Sequence, residues 1–316
     1  MPDVSIIIVS WNVRALLDDC LKSIYASDGI APTSNPSHFT LEVIVVDSAS
    51  HDGSDQLLKD RYPQVKALLM QENVGFAKGN NLGLQQAQGR YVFLLNPDTR
   101  LSPTLIKDCV AYMDTSPTVG IVGPHTLNED GTTQSSRRRF PTFLTGMFES
   151  TWLQKVAPRR IMDHYYVRDQ ADDAVVDVDW VQGSAVFARH EVYEQVGGLD
   201  EAYIMYSEEL DWCRRAKDAG WRVVYLGTTD LVHLGGKSSE QVVTKTHIRF
   251  QQSKLRYFKK FHGVFQAQLL RVILLLNYAW QWLTEAVKYL LGHKRELRRQ
   301  RMQTYADVLR SGLKVE

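Results

Sequence analysis

The residue best placed to do chemistry is an aspartate that closes a short apolar run. Tyr91-Val92-Phe93-Leu94-Leu95 reads as a buried strand that stops abruptly in the polar, proline-stiffened turn Asn96-Pro97-Asp98-Thr99. A carboxylate at the carboxyl end of a parallel strand stands where open α/β sheets bind ligands. With a second oxygen or nitrogen ligand, Asp98 could hold Mg2+ or Mn2+ against the phosphates of a nucleotide. Without one, it reads as a turn aspartate capping the next helix. Asp47 closes the run Leu41-Glu42-Val43-Ile44-Val45-Val46 in the same way. Glu208, Glu209 and Asp211 begin a helix behind Ser207, a position where acids partner the helix dipole and a serine serves as N-cap.

For these side chains to meet, a sheet must gather its strand ends. Ser5-Ile6-Ile7-Ile8-Val9-Ser10 is apolar and β-branched, and Ala15 to Ala26 follows with Leu16, Leu17, Cys20, Leu21 and Ile24 at helical spacing. Leu41 to Asp47, Val65 to Met70 and Tyr91 to Leu95 predict further strands, and a helix opens near Gly75 and runs to about Gln88. Strands alternating with helices predict a Rossmann-like, mostly parallel α/β sheet, wound right-handed, with helices on both faces. Asn12, Asp47 and Asp98 then share its ligand-binding edge. From Val119-Gly120-Ile121-Val122-Gly123-Pro124 to Val175 the pattern weakens into long loops with short helices, and Arg137-Arg138-Arg139 lies there. Val178 to Ala188 reads as a strand pair or a bent strand. A helix from His190, the turn Gly197-Gly198-Leu199-Asp200, a helix from Ser207, the strand Arg222 to Leu226 and the segment Leu231-Val232-His233 complete this part.

A chain of 316 residues that is 44% hydrophobic buries a large core and is not disordered. Cys20, Cys109 and Cys213 form no CxxC pair, which argues against a zinc site or a disulfide framework and fits a reducing, cytoplasmic compartment. The opening Met1-Pro2-Asp3-Val4 carries no basic leader and enters a strand at once, so no signal peptide is expected. Residues 251–316 hold 13 Lys and Arg against 4 Asp and Glu, net +9, which leaves net −8 on residues 1–250. The expected organisation is a catalytic domain, 1–250, with a nucleotide-binding half, 1–125, and a catalytic and acceptor half, 126–250, followed by a basic amphipathic helical tail, 251–316. Phe265 to Leu291 reads as one long helix, but its longest uncharged run, Val272 to Thr284, falls short of the ~20 residues that a spanning helix needs. Its aromatic residues and the following Lys294, Arg295, Arg298, Arg299 and Arg301 suit an interfacial helix on an anionic membrane surface, which would make the protein peripheral at the inner face of the cell membrane. The other reading of that apolar face is docking on the catalytic domain or on a second subunit in a homodimer. A nucleic-acid partner is not expected, because the head is acidic and no binding module is recognisable.

Seven stretches occur in the order seen in family 2 glycosyltransferases. They are Ser5 to Asn12, Val45 to Ser54, Asn73 to Asn81, Leu95-Asn96-Pro97-Asp98-Thr99, Gly197-Gly198-Leu199-Asp200-Glu201, Ser207-Glu208-Glu209-Leu210-Asp211-Trp212-Cys213 and His233. Over residues 4 to 262 the chain resembles the rhamnosyltransferase-type members that build bacterial surface polysaccharides. The resemblance implies a GT-A fold, a nucleotide-diphosphate sugar donor (a dTDP- or UDP-sugar, with dTDP-rhamnose favoured) and a saccharide or polyprenyl-linked acceptor. It places Asp47 on the base or ribose, with Ser10 and Asn12 beside it and Lys78 near phosphate. Gly75, Gly79 and Gly83 would let backbone approach the nucleotide. Asn96-Pro97-Asp98 stands where relatives carry Asp-x-Asp, so Asp98 is implied as the direct metal ligand and His233 as the residue completing the site, with Asn96 in place of the first acid. Relatives read Glu-Asp where this chain has Glu208-Glu209. That makes Glu209 the general base, Asp211 its support and Glu208 its rival. Trp180 and Gly183 resemble the acceptor-side wall, and Arg137, Arg138 and Arg139 are candidates for an acceptor pyrophosphate.

The implied reaction is a single inverting displacement. A carboxylate takes the proton of the acceptor hydroxyl as it attacks the anomeric carbon, while the metal neutralises the departing nucleoside diphosphate. A sugar nucleotidyltransferase would share the sheet and the metal aspartates, but it should carry a Gly-rich loop with Arg and Lys after the first strand, where this chain has Ser10-Trp11-Asn12. A non-catalytic nucleotide-sugar sensor would bind without turnover.

Overall fold

The computed structural model describes residues 1–30, 39–203, 205–235, 243–292 and 294–315. In chain order the elements are β1 (Val4–Ser10), α1 (Arg14–Tyr25), β2 (Leu41–Asp47), α2 (Ser54–Arg61), β3 (Lys66–Leu69), α3 (Phe76–Leu84), β4 (Tyr91–Leu95), β5 (Thr99–Leu101), α4 (Leu105–Thr115) and β6 (Val119–Leu127). Then come β7 (Arg137–Arg138), α5 (Phe143–Phe148), a short 3-10 helix (Trp152–Val156), α6 (Arg159–Tyr165), β8 (Val175–Val178), β9 (Trp180–Val181), β10 (Ala185–Arg189), α7 (His190–Val196), α8 (Glu208–Asp218) and β11 (Arg222–His233). Three helices close the chain: α9 (Val243–His262), α10 (Val264–Leu290) and α11 (Arg295–Ser311).

Among the described residues, nine strands form one sheet in the order β3-β2-β1-β4-β10-β6-β11-β5, with β8 also on β11. Six of them, β1 to β4, β6 and β11, run the same way, while β10, β5 and β8 oppose them, so the sheet is mostly parallel as expected. The strand period explains the two covered faces. Val4, Ile6 and Ile8 point into the core with Leu17, Leu21, Ile24, Leu105 and Ile106 of α1 and α4, while Ile7 and Val9 point to the other face, against α3.

That second face corrects the reading of two glycines. A Cβ on Gly79 would lie 2.8 Å from Val9 Cγ1, and one on Gly83 would collide with Ile7 Cγ2. Both glycines let α3 lie close on β1, one helical turn apart, and neither faces a nucleotide. Val178 to Ala188 is not one bent strand, and its two strands do not pair with each other: β9 pairs with β7 in a separate two-stranded sheet, while β10 pairs with β4 and β6. Arg222 to His233, expected as two pieces, is one strand with a register shift between Leu226 and Asp230. Ser207 is not an N-cap, since its φ of +67° is far from the extended conformation that a cap requires. The three cysteines are free and buried.

Contacts divide the chain into two compact units. The first is Met1–Phe140, Tyr166–Ala202 and Glu208–Ser238, and the second is Pro141–Tyr165, Tyr203–Ser207 and Ser239–Glu316. The expected boundary at 250/251 falls inside α9, and Pro141–Tyr165 leaves the first unit. The reason lies in the second unit's own packing: a Cβ on Gly146 of α5 would lie 2.7 Å from Phe258 Cζ of α9, and the buried Lys254 of α9 donates to the Glu149 carbonyl oxygen at 2.8 Å. In the same unit α10 and α11 are joined by a buried ion pair, Glu285 Oε2 to Arg298 Nη1 at 2.7 Å. No helix among the described residues is long and apolar enough to cross a membrane.

Candidate active site

The carboxyl edge of the first unit's sheet carries buried polar atoms that the protein leaves unsatisfied. Ser10 pairs in register with Asp47 at the ends of β1 and β2. Asp47 Oδ1 accepts from the Ser50 backbone N–H at 2.8 Å, but its Oδ2, the Ser10 Oγ and the Ser184 Oγ have no hydrogen-bond partner among the described residues. Ser184 directly precedes β10, whose Ala185 lies opposite Leu95, so all three orphans share one sheet edge. Orphaned buried polar groups are costly, and a nucleoside hydrogen-bonding there would satisfy them. Asn12 has a different task. At φ +52° its Oδ1 accepts from the His51 N–H at 2.8 Å and its own N–H reaches Ser50 Oγ at 2.9 Å, so it braces the loop that aims Asp47. Lys78 is exposed on α3.

Asp98 and His233 are brought together by β5. This three-residue strand pairs antiparallel with the end of β11, Thr99 opposite His233, and the Leu234 N–H donates to the Asp98 carbonyl oxygen at 2.9 Å. Both side chains are buried, and His233 Nε2 lies 3.3 Å from Asp98 Oδ1. Gln134 decides the tautomer. Its Nε2 donates to the His233 carbonyl oxygen at 2.8 Å, which turns its Oε1 to the imidazole Nδ1 at 2.9 Å, so Nδ1 carries the proton. In the neutral imidazole, Nε2 then presents a lone pair to a carboxylate oxygen. Two acceptors at that distance repel unless a cation, a proton or a metal ion, stands between them, so the pair fits a metal that takes nitrogen and oxygen ligands. Asn96 Nδ2 lies 3.4 Å from the same Nε2. Gln134 escaped the sequence reading because it sits in the weakly patterned stretch and matches no motif.

The two adjacent glutamates differ sharply. Glu208 is 4% exposed, and its Oε2 has no partner among the described residues. Glu209 is half-buried, and its Oε1 accepts from the Gly183 N–H at 3.2 Å. A Cβ on Gly183 would lie 3.3 Å from the Glu209 carboxyl carbon, so glycine leaves that carboxylate its place. The next residue, Ser184, accepts from the Asn96 N–H at 2.9 Å. Gly183-Ser184 therefore ties the Asn96-Pro97-Asp98 turn to Glu209. Asp211, fully buried, pairs with Arg215 at 2.6 Å, and Arg215 donates to the carbonyl oxygens of Val196 and Gly198. Asn81 holds the same turn from α3, accepting from the Leu199 N–H and donating to the Leu199 carbonyl oxygen, both at 2.8 Å. The Asn81 and Gly197-Gly198-Leu199-Asp200 motifs are thus partners, and Asp211 positions Arg215 and, through it, the turn.

Burial, and then the charge of Glu209, push the Glu208 carboxyl well above the ordinary carboxylate range. Burial also raises Glu209, partly offset by the Gly183 N–H and the nearby positive charge of Arg138. For a carboxyl raised on folding, the stability contribution is complete below the unfolded value and is lost as pH rises through the folded one. Urea unfolding free energy should therefore fall as pH rises through that raised range, and the slope should be shallower in Glu208→Gln. An unchanged slope would contradict this placement of the charge.

The family model described as glycosyl transferase family 2 matches residues 5–180, more than half of the chain. The chain belongs to that family. A family relative, the N-acetylglucosaminyl-diphospho-decaprenol L-rhamnosyltransferase of Mycobacterium tuberculosis, is 28% identical over 215 residues, which is 65% of this chain and 70% of the relative. The low-salt glycan biosynthesis hexosyltransferase Agl10 of Haloferax volcanii is 25% identical over 238 residues, 74% of this chain and 67% of the relative. Among solved structures, the mannosyltransferase PcManGT from Pyrobaculum calidifontis, in complex with GDP-Man and Mn2+, matches 98% of this chain and 86% of its own with a TM-score of 0.57 and 20% identity. That likeness is one of fold, GT-A. The family's activity, glycosyl transfer, is this chain's activity.

The acceptor-side residues divide. Arg137 is 5% exposed and spent on the fold, donating to the carbonyl oxygens of Gln170 and Ala171 and to Asp172 Oδ1. It is no pyrophosphate ligand. Trp180 is buried, its indole N–H donating to the Arg139 carbonyl oxygen at 2.9 Å and its ring lying under the Arg138 guanidinium. Arg139 donates to the Asp177 carbonyl oxygen at 3.0 Å. Arg138 is the member of the triplet whose charge reaches Glu209.

Proposed function

We propose that this glycosyltransferase inverts the anomeric centre, using a pyrimidine nucleoside-diphosphate sugar as donor and a saccharide or polyprenyl-linked acceptor, with Asp98 and His233 as ligands of a divalent metal. The observation that carries the reading is the bridge through Gly183-Ser184, which sets an accessible carboxylate, Glu209, beside the turn bearing Asp98. Glu209 takes the proton of the acceptor hydroxyl, whose oxygen bonds to the anomeric carbon as the bond to the nucleoside diphosphate breaks on the opposite face. Bound between Asp98 and His233, Mg2+ or Mn2+ would neutralise charge on the departing diphosphate. Asp47 and Ser10 offer their orphaned oxygens to the imide and ribose of uracil or thymine. The relative named for L-rhamnose and for a diphospho-decaprenol acceptor supports dTDP-rhamnose and a lipid-linked acceptor. Calorimetric titration with dTDP, UDP and GDP, with and without Mn2+, tests this. Mn2+-dependent binding of a pyrimidine nucleotide is expected, and clear preference for GDP would contradict the Asp47 site.

The second unit supports contact with a membrane surface. Phe265, Leu269, Val272, Leu276, Trp280, Leu283, Val287 and Leu290 recur at helical spacing along α10, and all are exposed. Exposed Lys294, Arg295, Arg299 and Arg301 follow, a charge pattern that suits anionic lipid better than a second copy of the same basic tail. The full chain should float with anionic liposomes at low salt, and Leu276→Glu with Leu283→Glu should abolish flotation. Equal failure of wild type and variant would leave the dimer as the better account.

A further inference from the structure

Of the three orphaned oxygens at the sheet edge, the functional reading employs two, Asp47 Oδ2 and Ser10 Oγ. The third, Ser184 Oγ, belongs to a residue only 3% exposed and has no hydrogen-bond partner among the described residues. Strand order sets it apart. Asp47 closes β2, Ser10 closes β1, Asp98 follows β4, and Ser184 stands just before β10, the next strand along. Neighbouring strands lie roughly 4.8 Å apart, which puts Ser184 about 10 Å from Ser10 and about 14 Å from Asp47 along the edge. Register sets it apart as well. Ile8, Leu95 and Ala185 belong to the core that packs on α1 and α4. Alternation keeps Ser10 on that face and sends Ser184 to the opposite one, with Asn96.

That placement is at the centre of the proposed chemistry. The Ser184 carbonyl oxygen accepts the Asn96 N–H at 2.9 Å, and Asn96 Nδ2 lies 3.4 Å from His233 Nε2. On the other side the Gly183 N–H holds Glu209. The backbone of Ser184 is thus fixed toward the metal pair and toward the base, and its hydroxyl, able both to donate and to accept, is left over. A nucleoside seated on Asp47 and Ser10 reaches that hydroxyl only through the groups it carries. Laid along the edge, base and ribose fall on β2 and β1, the diphosphate on Asp98 after β4, and the sugar on the start of β10. The order of the strands is the order of the groups in a nucleoside-diphosphate sugar.

We propose that Ser184 binds the sugar of the donor, hydrogen-bonding one of its hydroxyls and so holding the anomeric carbon before Glu209. The proposal rests on the glycosyl-transfer reading and adds the residue that senses the sugar apart from its nucleotide. The test is calorimetric titration of the full chain with two probe pairs, dTDP beside dTDP-rhamnose and UDP beside UDP-N-acetylglucosamine, with Mn2+ throughout. For the pair that wild type binds, Ser184→Ala should lose roughly three- to tenfold on the nucleotide sugar, the worth of one hydrogen bond between neutral groups, and keep wild-type affinity for the bare nucleotide. Ser10→Ala should instead weaken both members of the pair by the same factor. In the full reaction Ser184→Ala should raise the donor KM and leave the acceptor KM unchanged. Without ligand its Tm should be no lower than that of wild type, because the substitution removes an oxygen that the fold leaves unpaired. Equal loss on nucleotide and nucleotide sugar in Ser184→Ala would overturn the proposal. So would a raised acceptor KM with donor affinity intact, or a lowered Tm, which would mean that the hydroxyl serves the fold. A wild type that binds no nucleotide at all would overturn the functional reading, and the proposal with it.

Discussion

Glu209→Gln is expected to fold, to bind donor nucleotide as wild type does, and to transfer sugar slower by a factor of about 10² or more, the usual worth of a positioned base. The amide keeps the shape and can still accept from the Gly183 N–H, but it cannot take a proton. Glu208→Gln should transfer within a few-fold of wild type, because Glu208 is shut away from substrate and burial favours its neutral form. In wild type, kcat/KM should rise with pH through the raised Glu209 value, since only the ionised form is a base. Steady-state rates of the two variants settle the matter. A dead Glu208→Gln beside a near-normal Glu209→Gln would move the base by one residue.

Asp98→Ala should be the more severe lesion, with transfer lost and the Mn2+ dependence of nucleotide binding gone. The variant leaves His233 Nε2, its tautomer still fixed by Gln134, without the carboxylate that faces it at 3.3 Å. A single neutral nitrogen ligand holds Mg2+ or Mn2+ poorly, because both ions favour oxygen donors. Titration of wild type and variant with dTDP and Mn2+ reads this directly. Full activity in the variant, or wild-type activity undiminished in excess EDTA, would remove the metal from the account.

The alternation of strands and helices was legible because β1, β2 and β4 are buried on both sides and therefore read as continuous apolar runs. The edge residues Asp47 and Asp98 were legible for the same reason, as polar breaks at the ends of those runs. The contact between Asp98 and His233 was not, because it depends on a three-residue strand pairing with a partner more than 130 positions away. Gly79 and Gly83 could have been read correctly, since a spacing of four on a helix places both on one face, the face against β1. Gln134 and Ser184 carried no signal, being polar residues in short or irregular segments whose role comes only from what folds beside them. The tail helix was legible from its apolar density. That its outward face stays exposed was not, because periodicity alone cannot say which of two apolar faces is covered.

The most direct measurement is the reaction itself: the full chain with dTDP-rhamnose, Mn2+ and a diphosphate-linked saccharide acceptor, with the product's new glycosidic bond assigned by NMR. The account predicts transfer of the sugar with the anomeric configuration inverted relative to the donor, release of intact dTDP, and loss of both in Glu209→Gln. A product with retained configuration, or pyrophosphate released in place of a nucleoside diphosphate, would contradict it.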